Sequence, residues 1–592
     1  MWRFWGIPLG LCMILMPAFA QTFSRITDGV EVTDTCDSRA VNWIDYDADG
    51  DLDLFVTNGT QGGANNFLYR NDGGTFTRLT GDSIGSDHRS SDGATWGDFD
   101  NDGDLDCFVA NWYNQNNLPY RNNGDGSFTL ITGSPLFTDR GYSESASWCD
   151  YDGDGLLDLV VANSAGLPLV NFLYHNDGGG TFTRVTDGPI ANDATYPSRC
   201  PAWADYDNDG DQDLLIANED LHNEYLYRND GGGTFVRITA DPLVQAGGST
   251  TSASWGDYDN DGNLDVILAN AGSFDGPCGE AEALFRGNGD GTFTQVHDSA
   301  IAAAGGCSFG SLWGDFDNDA DLDLLITNGF DAGGNANFYF SNNGDGSFTR
   351  VTDGPLATDS GWSYGCAAAD FDRDGDLDIF VAHWQPSGDH NAFYLNHATG
   401  ENANHWLTLK LAGTTSNRSA IGARVRVKAH VGGRDVWQMR EVAGQSGYCG
   451  QTLEQHFGLR DAAIIDSLWI RWPSGLVETY TGIAANQYLT ITENGGYTAV
   501  QKPARPLPLH TALVSSFPNP FNAGTEIRFT LPQPAQAHLT VYDLTGRQVA
   551  LLLDEFRAAG DFRVLWKAEA RAICHWPAGR ISAGWKPGRM WP

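Results

Sequence analysis

Apolar residues along this chain gather in short runs such as Leu54-Phe55-Val56-Thr57, Leu214-Leu215-Ile216-Ala217 and Leu324-Leu325-Ile326. A run that is apolar without alternation is the pattern of a strand buried on both faces. Upstream of such runs an aromatic recurs at Trp43, Trp96, Trp148, Trp203, Trp255 and Trp313, with Ala368 in the seventh copy, at spacings of 53, 52, 55, 52, 58 and 55 residues. That period suits a four-stranded propeller blade. In the second copy the pattern predicts strands over Ala94–Phe99, Leu105–Ala110, Leu118–Arg121 and Ser127–Ile131, the last after the turn Asn123-Gly124-Asp125-Gly126.

The ends of the repeat array predict how it closes. Each of the first six copies finishes on a strand like Thr181-Phe182-Thr183-Arg184-Val185-Thr186-Asp187-Gly188, whereas the seventh stops at Asn391-Ala392-Phe393-Tyr394-Leu395-Asn396. The missing strand is present at the other end, as Thr22-Phe23-Ser24-Arg25-Ile26-Thr27-Asp28-Gly29. Placed in the last sheet it removes two exposed edges, so the expectation is a closed ring of seven blades.

Between each aromatic and its apolar run lies a polar loop of the form D-x-D-x-D-G-x-x-D. Carboxylates at positions 1, 3, 5 and 9, a turn glycine at 6 and a carbonyl at 7 form an oxygen cage for a hard cation of calcium size. An EF-hand is excluded, because position 12 of the first copy is Val56, inside a β-branched run, and no helix flanks the loop. The candidate ligands are Asp45, Asp47, Asp49, Asp51 and Asp53; Asp98, Asp100, Asp102, Asp104 and Asp106; Asp150, Asp152, Asp154, Leu156 and Asp158; Asp205, Asp207, Asp209, Asp211 and Asp213; Asp257, Asp259, Asp261, Asn263 and Asp265; Asp315, Asp317, Asp319, Asp321 and Asp323; and Asp370, Asp372, Asp374, Asp376 and Asp378. Position 7 supplies its carbonyl, which tolerates Leu156 and Asn263. In the sixth loop Ala320 replaces the turn glycine, at a penalty of roughly 1 kcal/mol if the turn needs a positive φ.

Charge changes the picture of partners. The 592 residues carry a formal net charge of -41, which disfavours nucleic acid. Seven Ca²⁺ would reduce the charge to about -27, so much of the acidity is ligand rather than solvated surface. Aromatic content of 12% argues against disorder. At the N-terminus Arg3, the apolar run Phe4 to Met16 and Ala18-Phe19-Ala20 read as a secretory signal over residues 1–20. Leu11 before Cys12 lacks the small residue of a lipoprotein signal. No run is long enough for a transmembrane segment. Export permits disulfides. Cys278 and Cys307 share one repeat and are the candidate bridge, with buried free thiols as the alternative; no zinc-type C-x-x-C pattern occurs.

The seven in-register loops resemble the FG-GAP/VCBS repeat family, the calcium-loop propellers of integrin α-subunit heads, over residues 21–400. The resemblance implies side-chain ligands at positions 1, 3, 5 and 9 of each loop and up to seven structural calcium ions. Over 401–494 the motifs Asn417-Arg418-Ser419-Ala420-Ile421-Gly422-Ala423, Gly444-Gln445-Ser446-Gly447-Tyr448, His456-Phe457-Gly458-Leu459 and Trp472-Pro473-Ser474-Gly475 resemble the ASPIC/UnbV domain. The combination is similar to the cartilage acidic protein family and its bacterial relatives. Gly444-Gln445-Ser446-Gly447 imitates a nucleophile elbow but has Tyr448 where the second glycine belongs. His405 and His456 read as structural, with no acidic partner at readable spacing.

A Pro-rich linker over 495–515 precedes a segment, 516–567, that resembles the β-sandwich sorting domains of the type IX secretion system. That likeness breaks after Trp566, and 568–592 reads as a frameshifted or misjoined end. The fold class expected is all-β: a seven-bladed calcium-loop β-propeller, a small β domain and a β-sandwich-like tail. The function expected is a secreted, calcium-binding, non-catalytic protein engaging an extracellular protein or glycan ligand in adhesion, with the tail addressed to the secretion machinery. The alternative is an extracellular carbohydrate-active enzyme, a calcium-dependent lyase or hydrolase, working from the central face. That alternative needs Lys, Arg, His or Tyr gathered over the axis, which the sequence does not assign.

Overall fold

The computed structural model describes residues 23–500 except 82, 166–169, 194–195, 273–277, 298, 330–335, 385–389 and 399–403, and five strands between 512 and 567. The expected signal peptide, the Pro-rich stretch 502–508 and the end 568–592 lie outside the described residues. Two compact units divide the chain, Met1–Gln501 and Lys502–Pro592.

In the first unit every repeat folds as an antiparallel four-stranded sheet, giving seven such sheets among the described residues. The first consists of Ser38–Ile44, Asp53–Asn58, Phe67–Asn71 and Phe76–Arg78. The second consists of Ser91–Gly97, Asp106–Asn111, Leu118–Asn122 and Phe128–Leu130. Its innermost strand starts three residues before the expected Ala94, because a bulge between Ser91 and Ala94 carries the pairing past the regular pattern. It ends at Gly97 because Asp98 already belongs to the acidic loop. The innermost strands touch their neighbours in cyclic order, and Ser38–Ile44 also packs on Ser363–Ala369 of the last repeat. These repeated sheets have the arrangement of a β-propeller.

Phe23–Ile26 supplies the strand missing from the seventh repeat, pairing Phe23 with Asn396 and Ile26 with Phe393. Phe23 also wedges its ring edge-on against Phe316 and Tyr339 of the sixth sheet, each with centroids at 6.2 Å. The recurring tryptophan has a physical reason. Trp43, Trp148, Trp203, Trp255 and Trp313 each donate their indole N–H to a carbonyl on the innermost strand of the preceding sheet, at 3.1–3.4 Å. One residue type therefore both fills the gap between sheets and stitches it. Cys278 and Cys307 are disulfide-bonded, while Cys107, Cys149, Cys200, Cys366 and Cys449 are buried thiols.

Two further sheets follow within the same unit. One pairs Gln455–Arg460, His405–Ala412, Gln487–Thr492 and Gly496–Val500; the other is built from Arg424–Val431, Arg434–Glu441, Ile464–Arg471 and Val477–Tyr480. Gly432 and Gly433 both take positive φ, which closes the hairpin between Val431 and Arg434 in two residues. The domain runs past the expected boundary at 494. Asn494 and Gly496 adopt positive φ, and the turn returns Gly496–Val500 onto Gln487–Thr492 instead of opening into a linker.

Between Glu441 and Gln455 the chain leaves these sheets and enters the axial channel of the propeller. Gly450 bridges to Asn42, Thr95 Oγ1 donates to the Gly444 carbonyl at 2.8 Å, and Gly444 packs on the Trp148 backbone. The Cys200 thiol meets Gln445 and the Tyr448 backbone, Gly447 N donates to Ala253 at 3.1 Å, and Gln451 Nε2 donates to Cys366 at 3.2 Å. With Ser311 N donating to Gly447, the segment touches all seven innermost strands. The elbow-like Gly444-Gln445-Ser446-Gly447 is thus part of a plug. Gly447, at φ 64°, lies against the Ser311 carbonyl where a side chain would not fit.

The second unit holds Ala512–Phe517, Gly524–Leu531 and Gly560–Lys567 in one sheet and Ala535–Tyr542 with Gln548–Arg557 in another. Ile527, Phe529, Leu539 and Val541 form its core. Ala512–Phe517 is a strand where the expected linker still runs, pairing antiparallel with Gly524–Leu531.

Candidate metal centres

Each acidic loop joins the innermost strand to the second strand, and the ninth-position Asp is the first residue of that second strand in all seven repeats. That carboxylate has two fixed partners. In the first loop Asp53 accepts from Tyr46 N at 3.2 Å through one oxygen and from Asn71 N, on the third strand, at 2.7 Å through the other. Asp106, Asp158, Asp213 and Asp323 repeat both contacts. Position 1 caps the turn from inside: Asp98, Asp150 and Asp370 accept from the N–H of the sixth-position glycine at 2.8–3.0 Å.

The chain reverses through two left-handed residues per loop. Position 6 has φ 89–112° in the glycine loops, and Ala320 also takes a positive φ, 82°. The sixth loop therefore does bear the backbone strain expected of a non-glycine residue there. Its methyl is buried in the core of the following domain, contact that a glycine could not make. Position 4 is the second such residue, as Ala48, Asn101, Asn208, Asn260, Asn318 and Arg373 at φ 57–67° and as Gly153. Sequence reasoning missed it, although the run of asparagines there was a signal.

These fourth-position side chains belt the loops together. Asn208 donates to Asn263, Asn260 to Asp321 and Ala320 O, and Asn318 to Asp376 and Gly375 O. Arg373 links the seventh loop to the first through the Gly50 carbonyl at 2.6 Å, while Ala48 and Gly153 carry no side chain for such a link. In the fifth, sixth and seventh loops the position 7 residues Asn263, Asp321 and Asp376 thus use their side chains to receive the preceding loop, beyond the carbonyl role expected of them.

Carboxylate oxygens of Asp45, Asp47 and Asp53 lie within 4.8 Å of one another, as do those of Asp98, Asp100 and Asp106, of Asp150, Asp152 and Asp158, and of Asp205, Asp207 and Asp213, and each set could hold a metal ion. Burial, reinforced by the neighbouring carboxylates, pushes Asp53 up to about 8, Asp106 and Asp213 to about 9, and Asp257 to about 7. Buried oxygens of Asp47, Asp100, Asp205 and Asp257 have no hydrogen-bond donor in the protein. Undonated oxygens in a converging all-carboxylate set are what a hard divalent cation satisfies, so the residues present fit calcium.

The following domain covers this face. Lys410 Nζ lies 3.1 Å from Asp45, Arg424 and Arg471 pair with Asp205, and Tyr488 bonds to Asp370. Ser419 Oγ accepts from Asp98 N at 2.9 Å. His405 and His456 of the domain take structural positions. His456 is buried between Thr408 and Asn318, and burial together with Arg440 pushes it down to about 3, so it stays neutral. His405 hydrogen-bonds Asn486. A cavity of about 330 Å³ opens between the first two loops and Lys410, Thr414 and Arg418.

Fold and site together define an acidic-loop β-propeller capped by a β domain. The chain belongs to the FG-GAP-like repeat family, whose pattern matches residues 45–109, 98–161, 150–216, 205–268, 278–326 and 328–381, and its residues 413–498 match the ASPIC and UnbV family. It is similar to cartilage acidic protein 1 of Xenopus tropicalis, 29% identical over 287 residues, which covers 46% of this chain and 41% of the relative. It is likewise similar to cartilage acidic protein 1 of Homo sapiens, 29% identical over 164 residues, covering 27% of this chain and 24% of that protein. The chain thus spans less than half the length of these relatives. Among solved structures, BBS1N in complex with ARL6DN aligns at TM-score 0.38 and 10% identity, covering 63% of this chain and 97% of that one. The V. cholerae biofilm matrix protein Bap1 aligns at TM-score 0.29 and 11% identity, covering 92% and 70%. Among the described residues no helix is long and apolar enough to cross a membrane.

Proposed function

We propose that this chain is a secreted, non-catalytic seven-bladed propeller whose acidic loops hold calcium as a structural ion and whose surface binds an extracellular ligand in adhesion. The observation that carries the calcium reading is the set of buried, undonated carboxylate oxygens repeated from loop to loop. Without a cation those carboxylates repel one another or take up protons; with one they become ligands. The side-chain ligands are the aspartates at positions 1, 3, 5 and 9 of each loop. The basic residues Lys410, Arg424 and Arg471 sit beside the first-position aspartates and share the remaining charge, so the ions and the covering domain stabilise the same face.

Export by the N-terminal signal and a type IX sorting role for the second unit complete the reading. An extracellular setting agrees with the disulfide and with an abundant supply of calcium. Affinities of ~10⁻⁴ to 10⁻³ M are expected of such a module. Thermal melts with millimolar calcium and with chelator test the ion's role, because a ligand of the folded state raises the midpoint by mass action. An unchanged midpoint refutes it.

A further inference from the structure

Position by position the seven repeats share a frame, so a residue that departs from it is informative. On the third strand of every sheet one backbone N–H, such as that of Asn71 or Asn176, binds the ninth-position aspartate of the acidic loop. The residue just before that N–H therefore stands beside the cage in each repeat. Four repeats place arginine there, as Arg70, Arg121, Arg228 and Arg286, and two place Ser341 and Leu395. The third repeat, whose third strand is Phe172–Gly178, places His175.

Arg70 and Arg228 pair with Asp72 at 3.0 Å and Asp230 at 2.7 Å, each two residues further along the chain. His175 turns towards the loop instead. Its Nδ1 lies 3.2 Å from Asp158 and 3.4 Å from Asp152, two of that loop's candidate ligands. Ligand atoms of Asp152, Asp154 and His175 lie within 4.8 Å of one another, a set that overlaps the all-carboxylate set of Asp150, Asp152 and Asp158. The other ring nitrogen, Nε2, faces Asp177 at 3.8 Å. A carboxylate behind the outer nitrogen is the usual companion of a metal-bound imidazole, because it favours the tautomer with the proton outside and the lone pair turned to the ion.

Charge balance alone does not account for the exchange. A guanidinium group is always cationic and offers no lone pair, so arginine serves an acidic loop only as a counter-charge. Imidazole gives up that permanent charge and supplies a nitrogen donor. Calcium takes oxygen ligands, whereas imidazole nitrogen beside carboxylates suits zinc and its neighbours in the first transition row. The spacing agrees: two ligands about 2.1 Å from a zinc ion stand about 3.4 Å apart at a tetrahedral angle and about 3.0 Å apart at an octahedral one. Gly153, at the fourth position, has no side chain to tie this loop to the next, which lets the cage contract onto an ion smaller than calcium. With 32% of its side chain exposed, His175 leaves the ion a way in.

We propose that the third acidic loop holds a divalent transition ion of the zinc class, with Asp152, Asp154 and Asp158 as oxygen ligands and His175 Nδ1 as a nitrogen ligand, while the other loops hold calcium. This rests on the reading of the loops as cation cages and adds to one of them a ligand from outside the loop. The test dialyses the full chain, in excess calcium, against trace zinc. The parent should retain about one zinc ion more than His175→Arg, a variant that carries the residue of four other repeats, and absorption at the zinc X-ray edge should show imidazole scattering in the parent. His297→Ala, at an exposed histidine outside the set, should leave retention unchanged. Calcium-dependent melting of each variant reports folding; if His175→Arg fails to fold, Asp154→Asn, at the exposed member of the set, carries the test with the same loss of zinc. No zinc retained in excess calcium, equal retention by parent and His175→Arg, or retained zinc with oxygen neighbours only overturns the proposal. Calcium-dependent melting that persists alongside any of those results refutes the third loop's choice of ion and leaves the calcium reading standing.

Discussion

Glu224 and Glu282 occupy a frame position that the other five repeats fill with asparagine, and exchanging them for glutamine should stabilise the protein in a pH-dependent way. In the first repeat Asn66 accepts from Asn58 N and donates to Ser91 Oγ, which donates onward to Asn111. In the fourth repeat Glu224 accepts from Asn218 N at 2.6 Å, but the single proton of Thr250 faces both Glu224, at 2.6 Å, and the Asn270 oxygen, at 2.9 Å. Glu282 has the same arrangement with Ser308 and Asn328. One hydroxyl proton cannot serve two acceptors, so the chain of bonds is complete only when the glutamic acid is protonated and donates as the amide does. Burial, against the hydrogen bonds each accepts, pushes both carboxyls up from 4.5 to about 8. The sign follows: the native state holds a proton that the unfolded state releases above pH 4.5. Each group therefore costs no stability below pH 4.5, costs progressively more as pH rises towards 8, and reaches a plateau beyond. At pH 7 the cost is up to about 3 kcal/mol per site, from roughly 2.5 pH units at 1.36 kcal/mol each. Glu224→Gln with Glu282→Gln supplies the donor without proton uptake. Urea unfolding of variant and parent, compared at equal pH in saturating calcium, should show a small difference at pH 4.5 that widens to several kcal/mol by pH 8. A difference that stays constant across that range, or a less stable variant at pH 8, refutes the reasoning.

Deleting residues 22–29 removes Phe23 from its contact with Phe316 and Tyr339, about 2–3 kcal/mol of apolar burial, and opens the last sheet; a much lower melting midpoint or aggregation is expected, and a midpoint equal to the parent's would disprove closure by this strand. Gly447→Ala combines left-handed strain of about 1 kcal/mol with overpacking against Ser311, typically 1–3 kcal/mol. Limited proteolysis should then cut the 442–454 segment faster, whereas an unchanged rate means the plug tolerates a side chain. A stop after Gln501 should preserve calcium titration and the main melting transition, since the first unit is compact without the rest; loss of either shows that the second unit supports it.

Much of this molecule was written in local pattern. The spacing of Trp43, Trp96 and their successors set the repeat, because in five of the gaps between sheets one tryptophan both fills the space and hydrogen-bonds across it. The match between Phe23–Ile26 and the strand absent after Asn396 announced closure, since an antiparallel edge accepts only a strand of the right alternation. The aspartates could be picked out because a cage for a hard cation draws its ligands from one short loop, so the chemistry is contiguous in sequence. What tertiary structure alone decided involves residues hundreds of positions apart. Nothing in Gly444-Gln445-Ser446-Gly447 indicates that it lies in the channel; that follows from docking a domain over the acidic loops, which brings Gly447 to Ser311 and Tyr448 to Asp92. Likewise Arg39 and Tyr364 stand at opposite ends of the repeat array in sequence and meet only because the ring closes. A cluster over an axis is a property of closure, to which each strand contributes a single residue, and no window of sequence short enough to read contains it.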